Sequence, residues 1–150
     1  MENTNNTARK VASQTWGNVQ HQRKLADGIW LFDTDRHGGI VTDFNVRPET
    51  RFMERFVYTR VGSSYGLCHE QHYAAFEEDC DACCVEWLYA SEIMTKNYMN
   101  FFVGTEKMSL ADWKKERLSI IKNSLVRWNP GFLEKYPNPD MGTYVPCNIK

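Results

Sequence analysis

Between residues 26 and 46 the apolar positions fall into two short runs, Ile29-Trp30-Leu31-Phe32 and Ile40-Val41, held apart by Asp35-Arg36-His37-Gly38-Gly39. Runs of this length around a glycine-rich polar segment predict two strands, over 29–34 and 40–44, joined by a turn. The first run is apolar on both faces, Ile29 and Leu31 against Trp30 and Phe32, which places it in the middle of a sheet. Residues 16–25 can add a third, antiparallel strand through the turn Ala26-Asp27-Gly28. A short helix over 49–56 and an extended piece over 56–61 follow.

From Leu67 to Val103 there is neither Gly nor Pro, and Tyr73, Phe76, Cys80, Cys83, Cys84, Trp87 and Leu88 recur at three- and four-residue spacing. That periodicity predicts an amphipathic helix over 70–94, with Glu77, Glu78, Asp81 and Glu92 off its apolar stripe. A second long helix begins where Ser109 can cap it, with Asp112 three residues on, and ends near Trp128. Asn129-Pro130 then opens a short helix that Pro137 stops. The expected fold is therefore α+β: a small antiparallel sheet of about three strands in the N-terminal half, with two long helices and a short C-terminal one packed on one face. Residues 1–15, poor in apolar side chains, are expected to be a mobile tail before a single domain over 16–150.

Charge sharpens this picture. The net charge is −1, yet residues 63–95 hold Glu70, Glu77, Glu78, Asp79, Asp81, Glu86 and Glu92 and no Lys or Arg. The rest of the chain is basic on balance. Such opposed segments either complement each other within the fold or meet a charged partner, and the whole chain is less basic than an ordinary nucleic-acid binder. No apolar stretch reaches the length of a membrane span, and the polar start lacks the apolar core of a signal peptide. Five cysteines, three of them within five residues, suit a reducing compartment better than a disulfide framework. The expected location is the cytoplasm of the host cell.

Several constellations can carry chemistry. Cys68, His69, His72, Cys80 and Cys83 offer zinc-type ligands, with His69, His72, Cys80 and Cys83 the set to consider. Against this, Cys80 and Cys83 fall on an apolar stripe, where cysteine behaves as a small hydrophobe. His37 with Glu77, Glu78 and Asp79 can form an acid–base or metal site if the hairpin tip folds over the acidic segment. The bland alternative is that turn residues make a turn and that acidic residues complement the basic helix carrying Lys114, Lys115 and Arg117. No nucleophile elbow, phosphate loop or dinucleotide motif is present, so no cofactor is expected. For binding, Asp35, Arg36, His37, Glu77, Glu78, Asp81 and Glu92 give an acidic surface. Arg47, Arg51 and Arg55, set among aromatic residues, give a basic one able to touch protein or nucleic acid.

Trp16-Gly17, His37-Gly38-Gly39-Ile40 and Tyr73-Ala74-Ala75-Phe76-Glu77-Glu78-Asp79-Cys80-Asp81 together resemble a bacterial and phage domain of unknown function. There, a Trp-Gly start leads to a His-Gly-Gly turn and later to an aromatic-x-Glu-Glu-Asp-Cys-Asp segment. The likeness spans about residues 16–136 and departs at Ala82, where the family commonly has Trp, and in a longer insert over 47–67. A weaker likeness is to plasmid antirestriction proteins. The resemblance implies a gene carried by phages, plasmids and their hosts, and no established activity; for a small, acidic-faced protein of such elements the expectation is an inhibitor of a host defence system, of anti-CRISPR or antirestriction type. Such a protein binds a nuclease or defence-complex subunit stoichiometrically. A small metal-dependent hydrolase built on His37 and the carboxylates, and a zinc- or redox-sensing module built on the cysteines, are the alternatives.

Overall fold

The computed structural model describes residues 4–51, 67–68, 72–78 and 80–146. Its centre is an antiparallel sheet of four main strands, β1 (Val19–Ala26), β2 (Ile29–Thr34), β3 (Gly38–Asp43) and β5 (Tyr73–Glu77), with the two-residue β4 (Leu67–Cys68) at one edge. The order is β1-β2-β3-β5-β4, so the hairpin and the central place expected for β2 are present. Asp27-Gly28 turns the chain from β1 to β2, and Gly28 takes a φ of 74° that side chains rarely adopt. Strand β1 is largely exposed and polar, as a sheet edge must be to avoid further pairing.

Three expectations are corrected. First, the segment taken as a mobile tail forms α1 (Thr4–Trp16), whose Ala8, Val11, Ala12 and Trp16 are buried against Trp30, Phe32, Val41, Tyr73 and Ala75. Its apolar stripe is narrow and made of small residues, which is why low apolar content concealed it. Second, helices therefore cover both faces of the sheet. Opposite α1, Ile29, Ile40, Ala74 and Phe76 meet α2 (Ala82–Leu88), the single turns α3 (Ala90–Ile93) and α4 (Lys96–Met99), α5 (Leu110–Trp128) and α6 (Pro130–Lys135).

Third, the helix expected over 70–94 does not start until Ala82. Residues 73–77 are instead strand β5, paired with β3 from Gly39↔Glu77 to Asp43↔Tyr73. Tyr73 and Ala75 face α1 while Ala74 and Phe76 face the other helices, so each of the four positions before Glu77 is apolar and buried. A strand buried on both faces has no alternation to reveal it. Left unpaired, β3 would bury a row of backbone N–H and C=O groups without partners, and pairing with β5 meets that demand.

The C-terminal half follows the sequence. Ser109 Oγ accepts from the Asp112 N–H at 3.1 Å, Asn129 precedes Pro130 at the start of α6, and Trp113, Ile121 and Leu125 are buried. A 3-10 turn, Pro48–Arg51, stands where the short helix was expected to begin. The extended piece expected over 56–61 lies outside the described residues.

Candidate functional site

The hairpin tip and the acidic segment do meet, at the end of the sheet where β3 begins and β5 ends. Thr34 shapes the tip: its hydroxyl accepts from the N–H groups of Arg36 (3.2 Å) and His37 (3.1 Å) and lies against the carbonyls of Trp16 and His37. Asp35 ties the tip to the chain leaving α1. Its Oδ1 accepts from Asn18 N–H at 3.0 Å and its own N–H donates to Asn18 O at 3.1 Å. From the other side, Glu78 N–H donates to Gly38 O at 3.0 Å, which carries the β3–β5 ladder to the tip. Gly39 is bare for a steric reason: a Cβ there would come within 2.7 Å of the Trp16 ring. The Trp-Gly, Gly-Gly and acidic stretches are thus three sides of one packing arrangement.

That arrangement leaves polar groups aimed outward. His37 Nδ1 stands 3.4 Å from Glu77 Oε1, with the imidazole more than half exposed and the carboxylate mostly covered. The pair lies at a cleft of about 470 Å³, lined by the C-terminal end of α1, by Gly17 and Asn18, and by Asp35, Arg36, His37 and Glu77. Glu78, next along the chain, turns to the opposite side and lines a second groove, of about 720 Å³, between the sheet and the helices. An imidazole beside a carboxylate can exchange a proton or bind a cationic or hydrogen-bonding group. Thr15, close by, has spent its hydroxyl on Val11 O at 2.7 Å. Among the described residues no three His, Cys, Asp or Glu side chains are placed to hold a metal ion together, and Asp79 lies outside them.

Several residues expected on a contact surface do other work. Arg47 is fully buried. Its guanidinium makes a two-pronged bond to Glu92 (2.7 and 2.7 Å), donates to Asp27 O at 2.9 Å, and lies between the rings of Tyr89 and Tyr144. Glu92, though partly exposed, is committed to that bond. Asp81 is 1 % exposed, in the turn into α2, so it cannot present charge to a partner. Glu86, also 1 % exposed, is held by Arg117 at 2.8 and 2.9 Å. The acidic segment is thus partly neutralised by the protein's own arginines, the intramolecular alternative that its charge pattern allowed. Arg51 is exposed, beside the Phe44 ring. Arg55 lies outside the described residues.

Among the described residues the cysteines are not gathered with other metal-type ligands. Cys80, Cys83 and Cys84 are buried and free, and burial pushes the Cys83 thiol up to about 11 and that of Cys84 well above its ordinary value. His72 sits at the far end of β5 from Cys80; five strand residues put roughly 16 Å between them. His69 lies outside the described residues.

Sequence reasoning missed the C-terminal strap. Residues 139–146 have no regular structure, yet Asp140 N–H donates to Trp87 O, the Asp140 carboxylate accepts from Ser91 N–H and Oγ–H (both 2.6 Å), and Thr143 N–H donates to Glu49 at 2.8 Å. Burial pushes Glu49 up, but the bonds from Thr143 and from Tyr89 outweigh it and leave the carboxyl below its usual range. These contacts join residues some 50 to 90 apart in the chain, which no local pattern encodes.

What these features define is a small layered domain, an antiparallel sheet covered on both faces, with a polar cleft at one end. The chain belongs to the family described as a domain of unknown function, DUF7007, whose profile matches residues 9–137. No curated protein and no solved structure matches it. The matched span takes in most of α1, in keeping with that helix being part of the domain.

Proposed function

We propose that the protein works by binding: it occupies a surface of a host protein through the polar end of its sheet, as a phage or mobile-element inhibitor of a defence nuclease or complex. The observation that carries this reading is the convergence of Asp35, Arg36, His37 and Glu77 on one cleft at the end of the sheet, with Glu78 next along the chain exposed on the other side of that end. Packing accounts for Gly39 and Trp16, and Asp35 also ties the tip to Asn18, but the exposed Arg36 and His37 serve no such packing role. Asp81, Arg47 and Glu92 leave the contact surface, for the structural reasons given above. The phage origin rests on the sequence resemblance, and the nucleic-acid contact on the exposed Arg51 and the neighbouring Arg55.

The test is a pair of readouts on one variant. Expressed in a host carrying a defence nuclease, the protein is expected to raise the plating efficiency of a sensitive phage and to co-purify one defence subunit in stoichiometric amount. Arg36→Glu with Glu78→Lys, both exposed, should remove both effects while circular dichroism and melting stay unchanged. Unchanged plating on hosts of each defence type would sink the inhibitor reading.

A second reading has one observation in its favour, the 3.4 Å approach of His37 to Glu77, which is the start of an acid–base pair. A hydrolase built on it would lose turnover with His37→Ala and keep it with Arg36→Glu. The opposite pattern belongs to a binding surface.

A further inference from the structure

Residues 140–145 lie on the protein as a peptide lies in a groove. Their backbone N–H groups donate to it in turn: Asp140 to Trp87 O (2.9 Å), Gly142 to Leu88 O (3.1 Å), Thr143 to the Glu49 carboxylate (2.8 Å) and Val145 to Val46 O (3.0 Å). Trp87 and Leu88 close α2, where carbonyls have no partner within the helix, so this surface offers acceptors to an extended backbone laid across it. Three positions are also read by side chain. The Asp140 carboxylate takes the Ser91 N–H and hydroxyl at the start of α3. Gly142 is pressed on the Tyr89 ring, which a Cβ at that position would strike. The Tyr144 ring lies 4.4 Å from the Arg47 guanidinium, and its hydroxyl donates to Asp27 at 2.8 Å. The groove therefore selects a carboxylate, a bare position two residues on, and a phenol two residues further.

Little apolar burial holds the strap down. Asp140, Met141, Thr143, Tyr144 and Val145 are all exposed, so its contacts are polar ones at the surface, each of modest net worth. Arg47 keeps Glu92, Asp27 O and the Tyr89 ring without Tyr144. The residues that hold the strap, from Asp27 to Ser91, lie within the span 9–137 that matches the family, whereas the strap follows that span.

We propose that this strip of surface is a peptide-binding groove whose tethered occupant is the chain's own strap, and that an extended segment of a partner protein with the same Asp-x-Gly-x-Tyr pattern takes its place. The groove lies by the β1–β2 turn, at the opposite end of β2 from the Asp35–His37 patch, and it stands or falls independently of the inhibitor reading.

Fluorescence anisotropy of a labelled peptide, residues 137–146, tests it on the full chain. Asp140→Ala with Tyr144→Ala loosens the strap and leaves the groove untouched, and this variant, its fold checked by circular dichroism, should bind the peptide saturably at about 0.1 mM. A tethered strap of that affinity, at an effective concentration in the millimolar range, should hold the peptide off the wild-type chain by about tenfold. Ser91→Ala in the loosened chain should weaken binding about tenfold, the effect of one lost charged hydrogen bond, and a peptide carrying the two alanines should not bind. Absence of saturation by the loosened chain into the millimolar range overturns the proposal, as does equal binding to wild type or indifference to Ser91→Ala. Wild-type dimers that the two alanines dissolve would make a second copy the occupant and overturn the assignment to a partner protein. Hydrogen exchange on the wild-type chain needs no variant: the amides of Asp140, Gly142, Thr143 and Val145 should exchange on the order of a hundredfold faster than the paired amides of β2 and β3, by local opening. Protection equal to that of the sheet would mean that the strap leaves only when the protein unfolds, and would overturn its exchange for a peptide.

Discussion

Arg47 shows how far a residue's type can mislead about its role. In the sequence it opens a run of arginines and aromatics that suggests a contact surface; in the fold it is among the largest fully buried side chains of the described residues. A guanidinium withdrawn from water must have its charge and its N–H groups met, and Glu92, Asp27 O and two aromatic rings meet them. Arg47→Met is expected to cost roughly 2–4 kcal/mol, since it strands the Asp27 carbonyl and leaves Glu92 unpaired. Arg36→Glu, at an exposed tip, should stay within about 0.5 kcal/mol of wild type. Urea denaturation of both variants measures the difference, and equal midpoints would refute the assigned roles. Nothing in the sequence around Arg47 distinguishes it from Arg51; its partners lie 20 and 45 positions away.

At the scale of elements, the readable ones carried their signals locally. The hairpin had two apolar runs and a glycine turn, and α5 had Ser109, Asp112 and a helical stripe over 19 residues. The two misread elements were governed by what they pack against. Strand β5 is apolar because it is inside the sheet, and its Tyr73 and Phe76 happened to fall in phase with the helical stripe of Cys80 to Leu88. Helix α1 contributes one large side chain, Trp16, and otherwise alanines, valine and threonine, yet it closes a whole face of the sheet. Deleting residues 2–15 should therefore uncover Trp30, Phe32 and Tyr73 and make the protein bind a hydrophobic dye and lose its sharp unfolding transition. A truncated protein that melts cooperatively at the wild-type temperature would restore the tail reading.

The molecule as a whole has a core that resists charge. Burial pushes the Cys83 thiol from 9.0 to about 11, and Cys84 and the Tyr98 hydroxyl are driven up by the same cause. Between about pH 9 and 11 the unfolded chain gives up protons that the folded one keeps. The stability these groups contribute is whole below pH 9 and is lost as pH rises through about 11. For Cys83 alone that is about 3 kcal/mol. Melting temperature should be level below pH 9 and fall above it, and the three core cysteines should resist a thiol reagent at pH 8 until denaturant is added. Rapid labelling of the native protein would contradict the burial of these cysteines.

The sequence by itself determined the α+β class, the hairpin with its central strand, the long capped helix and the short one after Asn129, because each is written in neighbouring residues through propensity, periodicity or a cap. It also set up the meeting of His37 with Glu77 as a possibility. Only the tertiary structure decided that α1 covers the sheet's second face, that 73–77 is a strand, and which charges remain free for function. Those outcomes depend on pairing, burial and counter-charges supplied from dozens of residues away. A chain of mixed charge can satisfy such demands in many ways before it folds and in one way afterwards.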